Sequence, residues 1–118
     1  MKLNLGCGKN YLAGFVNVDN FRGKNQVDVV ADLNKRWPFK DDSAEFILVD
    51  NVLEHMDAPI QFLQEANRVL KKNGVIEIVV PHYSHPSAYY PQHKHFFSRE
   101  WFVKGVNEDF SGINFFDV

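Results

Sequence analysis

The sequence predicts an α/β fold built on a mostly parallel sheet with flanking helices, and three observations carry that expectation. Short apolar segments recur along the chain, a helical period separates two of them, and the segments are apolar almost throughout rather than alternating. Strands of that kind belong in a parallel sheet buried on both faces.

Lys2 to Leu5 reads as the first strand, closed by Gly6-Cys7-Gly8, and Phe15 to Val18 as the second, closed by Asp19-Asn20. Val27 to Val30 is the third and runs into Ala31-Asp32-Leu33; Glu45 to Val49 is the fourth and ends at Asp50-Asn51. Ile60, Leu63, Ala66, Val69 and Leu70 then recur at helical spacing, with Phe62 widening the stripe. Asp57 is placed to cap this helix and Pro59 falls in its first turn, while Lys71-Lys72 and Asn73-Gly74 close the other end. Val75 to Val80, apolar apart from Glu77, is a fifth strand that stops at Pro81. Ser98 caps a short helix through Phe102 and Val103, and Ile113 to Val118 is expected to be a last strand. No repeat or linker interrupts the chain, so residues 1–118 read as one domain. Its core is 1–83, and 84–118 supply a substrate loop with a C-terminal helix and strand.

Composition narrows the class. A hydrophobic fraction of 45 % in 118 residues is that of a packed globular chain and argues against disorder. The net charge of −2 gives no field that would draw the chain onto nucleic acid or an anionic membrane, so neither partner is expected. Cys7 is the single cysteine and cannot form an internal disulfide. The N-terminus lacks the apolar run of a signal peptide, and no stretch approaches the roughly 20 apolar residues of a membrane span. The expectation is a cytoplasmic protein.

The polar strand ends carry the functional reading. In open parallel sheets, ligands bind beyond the carboxyl ends of the strands, near the point where strand order reverses. Asp, Asn and Gly are also ordinary turn formers, so any one of these ends is explained without a ligand. Four in succession favour one. The Gly6-x-Gly8 pattern is shared with dinucleotide sites, which hold a pyrophosphate at the N-terminus of a full helix. Only Lys9 to Gly14 separate Gly8 from the second strand, enough for about one and a half helical turns. A phosphate site therefore lacks its helix, whereas S-adenosylmethionine (SAM) carries no phosphate. Asp19 is placed to accept from ribose hydroxyls, Asp32 from the adenine amino group, and Leu33 to cover the ring. Glycines at 6 and 8 allow close backbone approach.

Lys2-Leu-Asn-Leu-Gly-Cys-Gly8, Val16-Asn-Val-Asp19, Val30-Ala-Asp-Leu33 and Asn51-Val-Leu-Glu-His55 resemble the successive motifs of class I SAM-dependent methyltransferases, most closely the type 11 group. The helix Phe62 to Gly74 and the strand Val75 to Pro81 continue the resemblance, which covers about Lys2 to Tyr83. It implies a Rossmann-like fold and transfer of a methyl group from SAM to an acceptor. Gly6, Cys7 and Gly8 would then line the methionine and ribose side, Asp19 with Asn20 the ribose, Asp32 and Leu33 the adenine, and Asp50, Asn51 and Val52 the methionyl group.

Two departures from the family pattern stand out. The first helix is reduced to a loop, since Asp19 follows Gly6 by only 13 positions, and the usual C-terminal antiparallel strand pair is incomplete. The second suggests a shortened chain, or a sheet edge finished by another copy through Ile113 to Val118.

His82, His85, His93 and His95 are interleaved with Tyr83, Tyr89, Tyr90, Phe96 and Phe97, beyond the fifth strand. They form the expected substrate wall; packing and surface roles are the plain alternative. Their spacing matches no standard metal pattern, so no metal is expected. Methyl transfer from a sulfonium needs mainly alignment, and a general base only for a protonated acceptor. His55 is the first candidate for that base by placement and His82 the second. The expected function is a SAM-dependent methyltransferase acting on a small molecule. The alternative is a catalytically silent SAM-binding or scaffold subunit completed by a partner chain.

Overall fold

The computed structural model describes residues 1–103 and 113–114. Its sheet contains β1 (Lys2–Leu5), β2 (Val16–Asp19), β3 (Val29–Val30), β4 (Ala44–Asp50), β5 (Leu70–Val79) and β6 (Ile113–Asn114). The spatial order is β3-β2-β1-β4-β5-β6 and every pairing is parallel. This is the predicted Rossmann-like α/β architecture. Strand order reverses between β1 and β4, where Leu5 lies beside Val49. Residues 115–118 of the anticipated last strand lie outside the described residues.

Two α-helices accompany the sheet among the described residues, α1 (Pro59–Val69) and α2 (Arg99–Val103). No helix there is long and apolar enough to cross a membrane. α1 buries Phe62, Leu63, Ala66 and Val69 in one cluster with Leu3, Leu5, Val18, Ile47, Val49 and Ile76. Side chains alternate across a strand, so those strand residues share one face. Their neighbours on the opposite face, Phe46, Leu48, Glu77 and Val79, are only half-buried. The expected burial of both faces therefore holds for one. The reason is local: where a first helix would lie, residues 6–15 form turns, and a short loop covers less of the sheet.

That loop is held by polar groups. Asn4 and Asn17 are opposite each other on β1 and β2, and both are buried. Asn4 Nδ2 donates to Asn17 Oδ1 at 2.9 Å and to the Asn10 carbonyl at 2.8 Å. Asn17 Oδ1 also accepts from the Leu12 amide, while its Nδ2 donates to the Leu12 and Phe15 carbonyls and to Asp28. A hydrogen-bonded spine thus stands where helix packing is missing.

Boundaries differ from expectation for non-local reasons. Ala58, not Asp57, precedes α1, and no side chain caps it. Asp57 instead faces Lys94 as an ion pair. α1 ends at Val69 rather than near Lys72, because Leu70 pairs with Ala44 and the amides of Asp42 and Ser43 take the Arg68 and Val69 carbonyls. Residues between Leu70 and Val75 then bulge from the ladder. The Trp101 amide reaches Ser98 at the start of α2, as the predicted cap requires.

A charged cluster fastens the β3–β4 connection to α1. Glu65 accepts from the Trp37 amide at 2.5 Å and from Arg68 Nε at 2.6 Å, and Arg68 also donates to the carbonyls of Trp37 and Phe39. The hydrogen bond from Arg68 holds the Glu65 carboxyl below the usual carboxylate range. A depressed folded-state pKa adds stability that is complete above the unfolded value, near pH 4.3, and is lost as pH falls through the folded value. Glu65→Gln is therefore expected to cost about 2 kcal/mol at neutral pH and less in acid. Urea denaturation at pH 7 and pH 3.5 checks this; an equal loss at both would show that the charge is not the source.

Candidate functional site

The carboxyl ends of β1 and β4 meet at the reversal point, and those of β2 and β3 follow along the same edge. Gly6 leaves β1 with φ +66°, a left-handed conformation that glycine adopts without strain. A Cβ on Gly6 would lie 2.3 Å from Val52 Cγ2, so the turn after β1 packs directly on the turn after β4. Gly8 also has positive φ, but open space lies where its Cβ would be. Its amide donates to Asp19 Oδ2 at 2.7 Å, and the Asn20 amide donates to Asp19 Oδ1 at 2.8 Å. Asp19 thus ties the β1 turn to the β2 turn while keeping further lone pairs on both oxygens. The Cys7 amide donates to the Val18 carbonyl, and burial pushes the Cys7 thiol up, which keeps it protonated.

The other predicted ligand residues lie along the same edge. Asp32 is exposed and accepts from the Asn34 amide at 2.9 Å, closing a turn. Leu33 is buried in the core, and its carbonyl accepts from the Trp37 indole. Asp50 and Asn51 are exposed at the β4 end, Asn51 with φ +55° and its amide on the Val79 carbonyl. Val52 is buried against Gly6. The structure brings together Gly6, Gly8, Asp19 and Val52 by direct contact; Asp32 lies further along the edge, beyond β3.

The histidines divide into two groups. His82 Nδ1 and His85 Nδ1 each accept from the amide of the serine two residues on, Ser84 and Ser87, which explains both as turn formers. His82 also bridges to Phe97, and a 3-10 turn spans Pro86–Tyr89, so the segment expected to be irregular is partly ordered. These residues line a cavity of about 580 Å³ with Glu77, Val79, Pro81, Ser98 and Phe102. His55 is not among its lining residues.

His55 belongs to the second group, in the 3-10 turn Leu53–His55 just after β4. Its ring lies 4.6 Å from that of His93, and its Nε2 is 3.5 Å from Glu54 Oε1. Glu54 is fully buried, and neither carboxylate oxygen has a hydrogen-bond partner. Burial pushes its carboxyl up to about 7, opposed by its own backbone amide and helped by the Asp50 charge. Burial also lowers the His55 pKa, and His93 reinforces that. From sequence, His93 stands only in the expected substrate wall and Glu54 only within the motif Asn51 to His55, with nothing to join them. The one available signal was an acid directly after the apolar pair Val52-Leu53; the meeting with His93 is made by the fold.

A parallel sheet with this order and reversal point defines a Rossmann-like class of fold. Residues 14–78 match the methyltransferase-domain family, and the chain belongs to that family. It is 38 % identical over 55 residues to the uncharacterized protein MJ1123 of Methanocaldococcus jannaschii, a match covering 47 % of this chain and 27 % of that protein. A solved structure of the same fold comes from the Haloferax volcanii complex between the Trm112 methyltransferase activator and a candidate methyltransferase. It has a TM-score of 0.57 and 22 % identity, over 95 % of this chain and 54 % of the other. The chain thus spans about a quarter of the length of the curated relative and about half that of the solved chain.

The complex corrects the expected partners: a small-molecule acceptor, with no nucleic acid or membrane, and self-association through the C-terminal edge. The solved relative of this fold is assembled with a protein activator. Net charge and strand pattern, on which that expectation rested, carry no information about an activator protein.

Proposed function

We propose that residues 1–118 form one SAM-binding domain of a methyltransferase, with the cofactor at the carboxyl ends of β1 to β4. The observation that carries this reading is the Gly6–Gly8–Asp19 arrangement at the reversal point, in a chain of the methyltransferase-domain family. The donor set fits the cofactor: a backbone turn without side chains, an acid beside it with free lone pairs, and no helix dipole reserved for phosphate. Bound there, SAM supplies a methyl group already activated on a sulfonium.

The chain's own residues then bind and orient. Asp19 accepts from the ribose hydroxyls, and Gly6 with Cys7 and Gly8 presents backbone to the methionine side. Asp32 and Leu33 take the adenine end, and Asn20, Asp50, Asn51 and Val52 complete the edge. His55 and His82 are the candidates to take a proton from an acceptor. Burial keeps His55 neutral and so able to accept one.

Asp19→Ala is expected to weaken SAM binding at least tenfold, as a charge-assisted hydrogen bond contributes about 1.5–3 kcal/mol. Because Asp19 also holds the Gly8 amide, part of that loss will come from a looser turn. Unchanged calorimetric titration of a folded mutant would remove Asp19 from the site.

A second reading, dependence on a protein activator, is favoured by the assembly seen for the solved relative. Adding a Trm112-type activator should then raise methyl transfer by the full chain; no change in rate would retire it.

A further inference from the structure

We propose that Glu54, His55 and His93 form a binding site for one divalent transition-metal cation of the zinc class. One ligand atom from each residue lies within 4.8 Å of the other two, although His93 is 38 positions from His55 in the chain. The inference does not depend on SAM binding, but it competes with the base role of His55: a metal on Nε2 takes the lone pair that would accept a proton, which leaves His82 as the base.

Glu54 carries the argument. It is 0 % exposed, and among the described residues its two oxygens and His93 Nδ1 are the only buried side-chain polar atoms without a partner. Buried polar groups in folded proteins are nearly always satisfied, so three orphans in one cluster call for a missing partner. These orphans belong to Glu54 and His93, and one cation beside His55 would serve both.

Hydrogen bonding at His55 indicates its sign. His55 Nδ1 lies 3.2 Å from the Gln92 carbonyl, which only accepts, so Nδ1 carries the proton. In the neutral ring, Nε2 then presents a lone pair toward Glu54 Oε1, 3.5 Å away. With Glu54 ionised, two electron-rich atoms face each other; a proton on Glu54 would relieve this pair alone, whereas a cation between them also reaches His93. A ring that donates Nδ1–H to a carbonyl and offers Nε2 is also the usual arrangement of a metal-bound histidine.

The donor types select the cation. Two imidazoles and one carboxylate suit zinc and its neighbours, whereas magnesium and calcium favour oxygen ligands. Metal–ligand distances of about 2.0–2.1 Å place tetrahedral ligands roughly 3.4 Å apart; the Glu54–His55 pair already meets this at 3.5 Å, and His93, within 4.8 Å, must move in on binding. His55 is 34 % exposed at its side chain, which leaves an outer coordination position open to water or to an acceptor atom. Three protein ligands with one open position is the pattern of a catalytic rather than a structural site.

The test is titration of the full, metal-stripped chain with Zn²⁺ by calorimetry, followed by Co²⁺ absorption spectroscopy. One saturable equivalent is expected, with visible cobalt bands of four- or five-coordinate geometry and a rise in melting temperature on adding zinc. Glu54→Gln and His93→Gln should each weaken binding at least tenfold, more in keeping with a direct ligand than with a surface contact. His85→Gln, a histidine outside the cluster, should leave it unchanged. Glu54→Gln, which removes the buried acid, should fold at least as well as the metal-free parent and gain nothing from zinc. Absence of saturable binding would overturn the proposal. So would less than tenfold weakening in the Glu54 and His93 variants, or loss of binding on His85→Gln.

Discussion

Gly6→Ala is expected to destabilise the chain by about 3 kcal/mol and to remove SAM binding. Two separate costs combine. A non-glycine residue at φ +66° is strained by roughly 1–2 kcal/mol. Its methyl would also sit 2.3 Å from Val52 Cγ2, and overpacking of that kind costs about 1–3 kcal/mol. Val52 cannot yield easily, because it is buried and branched at Cβ. The two costs can be separated with a second substitution. In the Val52→Ala background the overlap disappears and only the backbone strain remains, so the pair should be strongly non-additive. Denaturation of the four proteins of this cycle gives the answer; strict additivity would mean that the Gly6–Val52 contact does not shape the turn.

Asn17→Leu should be comparably damaging, although the new side chain is apolar and close in size. Asn17 is 0 % exposed and its side chain makes five hydrogen bonds, to Asn4, to both backbone groups of Leu12, to Phe15 and to Asp28. Leucine would leave the buried Asn4 and the half-buried Leu12 amide short of partners, and a stranded buried group costs about 1–3 kcal/mol, while exposed Asp28 can turn to water. A loss of about 3 kcal/mol or more is expected from urea denaturation. The loop from Lys9 to Gly14 should also open, so trypsin should cut after Lys9 much faster than in the parent. A variant as stable as the parent, and as resistant at Lys9, would show that the spine does not hold the loop.

The two substitutions mark what could be read from sequence and what could not. The strand ends were legible because apolar segments followed by Gly6, Asp19, Asp32 and Asp50 recur, and in a parallel sheet all such ends lie on one edge. The loss of the first helix was legible from the 13 positions between Gly6 and Asp19. What replaces it was not. Asn4 and Asn17 look like polar interruptions of two strands until the register sets them opposite each other. The end of α1 was missed for a related reason. Lys71-Lys72-Asn73-Gly74 has the composition of a helix terminus, but the pairing of Leu70 with Ala44 stops the helix earlier. The Glu54–His55–His93 cluster was hidden because the loop after β5 must fold back before His93 meets the β4 turn. Sequence spacing finds ligand sets carried on one element far more readily than sets assembled from two.

The edge at β1 to β4 is proposed to take SAM rather than a dinucleotide. Side-by-side calorimetric titration of the full chain with SAM, S-adenosylhomocysteine and NAD tests it most directly. Saturable binding of the first two is expected, with one equivalent each and at least tenfold weakening by Asp19→Ala, and no comparable binding of NAD. NAD binding with no response to SAM or S-adenosylhomocysteine would contradict it.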